Sequence, residues 1–322
     1  MPEPSPEPGL REEARTAALL EPSMPDDLFA GAPAEIVADA VVAPGAAVVV
    51  IRKRQLGVAF WLSVGWIALV ILLAVFAGAL PLHAPNATGL GPPRAAPGGH
   101  FWLGTDDLGR DMLARIIYGA RVSMIVGFSS IAIGLVVGGT LGLIAGYYKG
   151  RIGTVIMGCV DVLLAFPALV FALAIVTFLG QSLRNVVIAI GFLSIAPIAR
   201  IIRSSTIAFS EREFVTAARA LGAKNFRIIT REILPNVVPP TLAYALVYVA
   251  VAIVAEGGLA FLGLSVKPPT ASWGGMINEG RTFLQQAPYI SLLPALVMFV
   301  TVLAFNFAGD SLRARLDPRG GR

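Results

Sequence analysis

The sequence predicts an all-α membrane protein with six transmembrane helices, and three observations carry that prediction. Of 322 residues, 56% are hydrophobic and 14% are charged, with a mean hydropathy of +0.76. A fully water-solvated domain needs more charge than that to cover its surface. Several nearly charge-free runs are long enough to cross a hydrocarbon core of about 30 Å at about 1.5 Å per helical residue. Most of the remaining charges fall between those runs.

Residues 1–50 are rich in Pro, Ala and Glu and hold nine acids against Arg11 and Arg15. They offer too little apolar bulk for a core, so a disordered acidic tail is expected. A secretory signal would instead start basic and place a short apolar run close to Met1. Arg52, Lys53 and Arg54 then lead into a first span over 57–80. Ala77-Gly78-Ala79 mimics a cleavage site, but the apolar run before it is longer than a signal's.

Within 51–120 the first span gives way to a polar, Pro/Gly-rich extracytoplasmic loop. Its stretch HFWLGTDDLGRDMLARIIYGAR reads as helical after Asp106. Asp106, Asp107 and Asp111 near a His admit a metal site as one reading. A solvated interfacial helix is the better one, because each acid has an arginine (Arg110 or Arg115) within three to five residues, with Arg121 further on. Asn86-Ala87-Thr88 fits a glycosylation acceptor, a match too short to carry weight.

Residues 121–310 form the membrane core. The second span, 122–146, carries Gly134, Gly138, Gly142 and Gly146 at four-residue spacing, a smooth stripe that suits close helix packing in lipid. The third, 153–180, is interrupted at Ala165-Phe166-Pro167. Asp161 lies inside that third span, where an ionisable group is a candidate for the translocation path or gating. The fourth, 185–199, is short, with Arg200 expected to snorkel toward the interface. The fifth, 237–255, ends at Glu256, a second path candidate, and the sixth is 290–308. Residues 311–322 make a basic tail.

With six spans and an inside N-terminus, sixteen basic residues fall on inner segments and seven on outer ones. The positive-inside rule therefore places both termini in the cytoplasm. The basic pI reflects juxtamembrane lipid contacts, not nucleic-acid binding. Cys159 stands alone, so this chain builds neither a disulfide nor a thiolate metal site. No Gly-Lys dipeptide occurs, hence no Walker-A phosphate loop, and the chain is expected to bind no cofactor and catalyse no reaction itself.

Between the fourth and fifth spans lies EFVTAARALGAKNFRIITREILPN, a charged segment within 204–236. Glu213 and Phe214 lead one helix, Gly222 ends it, and a second helix starts near Lys224 or Asn225 and is expected to stop at Pro235. A helix–Gly–helix elbow in water between two spans is a lever.

Thr216-Ala217-Ala218, Gly222 and Leu234-Pro235 resemble the EAA loop of ABC-importer permeases. LGTDDLGRDMLARIIYGAR, FLGLSVKPPTASWGGMINEGR and GDSLRARLDPR are similar to the dipeptide/oligopeptide/nickel subfamily, C-type permease. The resemblance covers residue 52 to the end. It departs at Thr216, where the loop's naming Glu stands, and at Glu232, where an aliphatic residue is usual. It implies a type I ABC-importer fold, a second homologous permease, two ATPase subunits holding ATP and Mg, and an extracytoplasmic solute-binding protein. It also implies a coupling surface of Glu213, Ala217, Ala218, Arg219, Leu221, Gly222, Lys224, Arg227 and Pro235. Asp106, Asp107, Arg110, Asp111, Pro268, Pro269 and Trp273 would face the partner permease or the binding protein. Selectivity in such systems rests mainly with the binding protein, leaving dipeptide, oligopeptide, haem and nickel complex open. The rival readings are an ion-gradient-driven transporter using Asp161 and Glu256 as a proton relay, and a non-transporting scaffold.

Overall fold

The computed structural model describes residues 57–316. The acidic tail 1–50, the basic flank 52–54 and the last arginines, Arg319 and Arg322, lie outside the described residues. Among the described residues there is no β-strand, only one isolated bridge between Thr105 and Asp111.

Five helices are long and apolar enough to span a bilayer: α1 (Val58–Phe76), α2 (Met112–Tyr148), α5 (Leu183–Ser210), α7 (Asn225–Phe261) and α9 (Tyr289–Leu316). The sixth crossing is a broken pair, α3 (Gly150–Leu164) and α4 (Ala168–Leu179), bent by 80°. The break falls at Ala165-Phe166-Pro167, because a proline disfavours helical backbone at the residue before it. Two short helices complete the set, α6 (Glu213–Ala220) and α8 (Trp273–Gly280).

Four spans run longer than the apolar pattern suggests, α9 among them, which continues past 308 to Leu316. Helix α2 begins at Met112, ten residues ahead of the expected 122, because the Asp111 carboxylate caps it by accepting from the Leu113 amide at 2.9 Å. Helix α5 starts at Leu183 behind a Ser182 cap and continues past Arg200 to Ser210. Helix α7 passes through Pro235, which was expected to end the elbow's second helix. A π turn over Ile228–Ile233 lies just before that proline. Its wider ladder places the missing N–H where the α-helical bonding restarts.

The same device explains the glycine stripe. Four residues overshoot an α-helical turn by about 40°, so an unbroken α-helix would wind four such glycines off one face. A π turn over Gly134–Gly138 turns less per residue and offsets the drift. All four then meet α5. A Cβ on Gly134 would stand 2.6 Å from Ile198 Cδ1, and one on Gly146 2.7 Å from Thr206 Cβ. On Gly138 and Gly142 it would collide with the carbonyl oxygens of Ile195 and Ala199.

Around this seam packs a core that includes Val126, Val176, Val186, Val249, Ile253, Leu259, Trp273 and Phe305. Helix α1 lies along α2 and α9. The Trp66 indole donates to Thr301 Oγ1 at 3.0 Å. The Arg121 guanidinium donates to the Ala74 and Val75 carbonyls at the end of α1, where a cation also suits the helix dipole. The opposite face of α1, including Trp61, Leu62 and Leu72, is exposed and apolar, as a lipid-facing surface is.

Gly142→Val forces a branched side chain onto the Ala199 backbone and is expected to lower stability by about 2 kcal/mol, the scale of an overpacked interior. Gly158→Ala, with open space around it, should leave stability unchanged. Thermal unfolding of the detergent-solubilised protein compares the two.

Candidate functional site

The elbow projects from one end of the bundle. Helix α6 ends in a full Schellman arrangement: the Gly222 amide donates to Arg219 O and the Ala223 amide to Ala218 O, both at 3.0 Å. Gly222 has φ +81°, a left-handed conformation that costs glycine nothing. Glu213, Ala217, Arg219, Leu221, Gly222, Lys224, Arg227 and Pro235 are exposed, and Ala218 is half-buried.

Apolar side chains stand out in water there. Leu221 is 88% exposed and Phe226 78%. The expected coupling surface omits Phe226, although an aromatic four residues after a helix-ending glycine is a usable signal. Beneath them Val215, Ile228 and Ile233 are fully buried and anchor both arms of the elbow to the span core. Two polar ties brace the elbow from the α2–α3 turn. Lys149 Nζ meets Glu211 Oε1 at 2.7 Å, and the Tyr147 hydroxyl donates to Asn225 Oδ1 at 2.8 Å.

At the opposite end a charged network replaces the expected solvated helix. Asp106, Arg110, Asp111 and Arg115 are all at most 5% exposed. Asp106 Oδ1 accepts the Leu108 and Arg110 amides at 2.9 Å. Its Oδ2 meets Arg110 Nε at 2.5 Å and Arg115 Nε at 3.3 Å. Glu279 from α8 supplies the second carboxylate, with its Oε2 at 3.1 Å from Arg110 Nη2 and 2.9 Å from Arg115 Nη2. Two acids and two arginines thus balance one another. Asp111 is spoken for by the Leu113 amide and by His83 Nδ1 at 2.8 Å. Sequence separation hid Glu279, which lies 164 residues beyond Arg115.

That burial corrects the set expected to face partners. Trp273 is fully buried, its indole donating to Ile116 O at 3.0 Å and its ring beside Gly119. With Asp106, Arg110 and Asp111 it holds this chain together. Asp107, Pro268 and Pro269 do reach the surface. No group of three or more His, Cys, Asp or Glu side chains is arranged to hold a metal among the described residues.

The two path candidates separate. Glu256 is fully buried, and its Oε1 accepts from Ser265 Oγ at 2.6 Å and Ser272 Oγ at 2.8 Å. It ties the end of α7 to the cap of α8 and lines no open passage in this chain, contrary to the path role expected of it. Asp161 is exposed and pairs with Arg200 Nη2 at 2.7 Å. Arg200 was expected to snorkel away; a carboxylate one helix over satisfies it instead.

Residues 138–321 match the family described as binding-protein-dependent transport system inner membrane component. The chain belongs to that family. A dipeptide transport system permease protein, DppC, of Alkalihalophilus pseudofirmus is 40% identical over 249 residues, 77% of this chain and 82% of that protein. The glutathione transport system permease protein GsiD of Pectobacterium atrosepticum is 39% identical over 255 residues, 79% of this chain and 85% of that one. The inward-facing methionine ABC transporter MetNI aligns over 64% of this chain and 98% of its own with a TM-score of 0.53, at 16% identity, which speaks for the fold alone. This chain is therefore a multi-pass inner-membrane permease subunit of an ABC importer, and ATP hydrolysis belongs to separate ATPase subunits.

Two outcomes are expected of the buried groups. Glu279→Ala leaves two buried guanidiniums to share the Asp106 carboxylate and should cost about 3 kcal/mol of stability, read as a lower midpoint of thermal unfolding. Glu256→Gln keeps an oxygen to accept from Ser265 and Ser272, so uptake at the wild-type rate is expected; lost uptake would restore a proton-relay role.

Proposed function

We propose that this chain moves short peptides, or a closely related solute, inward along a path it forms with a second homologous permease. The printed functions of the relatives, dipeptide and glutathione transport, support small peptides as the cargo class. An extracytoplasmic binding protein delivers the solute to the end of the bundle that carries Asp107, Pro268 and Pro269. Two ATPase subunits, holding ATP and Mg, receive the elbow at the other end. Both termini lie on the elbow's side, which is cytoplasmic. Arg212, Arg219, Lys224, Arg227 and Arg231 crowd the elbow, in line with the positive-inside rule.

One observation carries this reading: an exposed elbow with a rigid root. Leu221, Phe226, Arg219, Lys224 and Arg227 present mixed apolar and cationic groups to a docking groove. Val215, Ile228 and Ile233 are buried against the spans, so a push on the elbow is passed to α5 and α7 and is not absorbed locally. Closure of the ATPases would then tilt these two helices together, and hydrolysis would let them return.

Gly222→Pro tests the lever. Proline fixes φ near −65° and has no N–H, whereas Gly222 needs φ +81° and donates to Arg219 O. The variant should insert and fold its spans, keep basal ATPase activity in the assembled complex, and lose ATP-driven uptake into vesicles. Gly222→Ala, with no atom near the added methyl, bears only a backbone strain of about 1 kcal/mol and should keep most uptake. Normal uptake with Gly222→Pro, or uptake driven by an ion gradient without ATPase subunits, would refute the proposal.

A further inference from the structure

Asp161 and Arg200 belong to a cleft of about 240 Å³ lined also by Met157, Arg203, Ser204 and Ile207. The cleft runs along α3 and α5 from Asp161 and Arg200 toward the elbow, reaching Ile207 near the end of α5. Asp161 is 11 residues past Gly150, and Arg200 is 10 short of Ser210, which puts each about 16 Å from the elbow end of its helix. The ion pair is not sealed in the core, its side chains being 54% and 53% exposed. Arg203, one turn on, is half-buried, and its Nε is covered yet has no hydrogen-bond partner among the described residues. The Ser204 hydroxyl already donates to Ile201 O at 2.8 Å. Two guanidiniums thus face one carboxylate, and the cleft is left with one unmatched positive charge.

Such a surface is incompatible with acyl chains. An open ion pair and a spare cation call for water or a polar ligand around them. Val162, next to Asp161, is exposed as well. We propose that the cleft is a subsite for the carboxylate of the transported solute, the free C-terminal carboxylate of a short peptide, with Arg203 as its principal partner. Guanidinium suits this because its planar fork matches a carboxylate with two parallel N–H donors. Arg200, held by Asp161, keeps the local field positive without gripping the ligand. Met157 and Ile207 supply an apolar floor that accepts varied side chains. The subsite rests on the reading of the chain as a peptide-importing permease.

The test uses the whole importer, with both permeases and the ATPases, in lipid nanodiscs without nucleotide or binding protein. Cys159→Ala removes the native thiol, and Ile207→Cys places a reporter in the cleft. Its modification by a small neutral methanethiosulfonate is followed with millimolar Ala-Ala or with the same dipeptide amidated at its C-terminus. Protection by the free acid and none by the amide is the expected result. Arg203→Gln should raise the protecting concentration about tenfold, the scale of one charge-assisted hydrogen bond, and Arg203→Lys should raise it less. Equal protection by acid and amide overturns the subsite. So does a thiol that never reacts, as when an acidic side chain of the second permease or a lipid phosphate fills the cleft. ATP-driven uptake is measured on the same preparation with binding protein added. Uptake without acid-dependent protection defeats the subsite alone, whereas absence of peptide uptake defeats the import reading beneath it.

Discussion

A charge in hydrocarbon must find a partner or water, and that requirement sorts the polar residues of this chain into separate places. Where the chain supplies its own partners, charges leave the solvent: Asp106, Arg110 and Arg115 are buried and, with the half-buried Glu279, neutralise one another between the long loop and α8. Where water is at hand they are left free, as along the elbow. Asp161, Arg200 and Arg203 fit neither case. Asp161 and Arg200 pair with each other on a face the chain does not cover, and Arg203 Nε beside them has no hydrogen-bond partner among the described residues.

The mechanical character of the bundle follows from its smallest residues. Without hydrophobic drive between helices in lipid, close packing has to hold them, and the four glycines of α2 bring its backbone against α5. Helix α5 carries Arg200 and Arg203 along its length and leads directly into the elbow. The ties from Tyr147 and Lys149 fasten the far end of α2 to the elbow's two arms. The elbow is thus joined through α5 to the exposed cleft that holds Asp161 and Arg200.

Two π turns, at Gly134–Gly138 and Ile228–Ile233, reset the helical phase at these junctions. The first keeps a four-residue glycine repeat on one face. The second carries the elbow's helix through Pro235 into the span, so elbow and span are one continuous helix.

The six crossings, the break before Pro167, the Gly222 elbow and the glycine stripe were legible in the sequence, because hydropathy, helix-ending residues and spacing are local properties of the chain. Helix ends were less so: caps at Asp111 and Ser182 extended α2 and α5 past their apolar runs. The fate of the charges was decided only by tertiary structure. Asp106, Arg110 and Asp111 read as a solvated helix because their local neighbours pair them adequately, while Glu279, far along the chain, turns the group inward. Glu256 and Asp161 look alike as acids within apolar runs, yet one is enclosed by two serine hydroxyls and the other opens beside Arg200. Burial depends on which distant segments meet, and no local pattern encodes that.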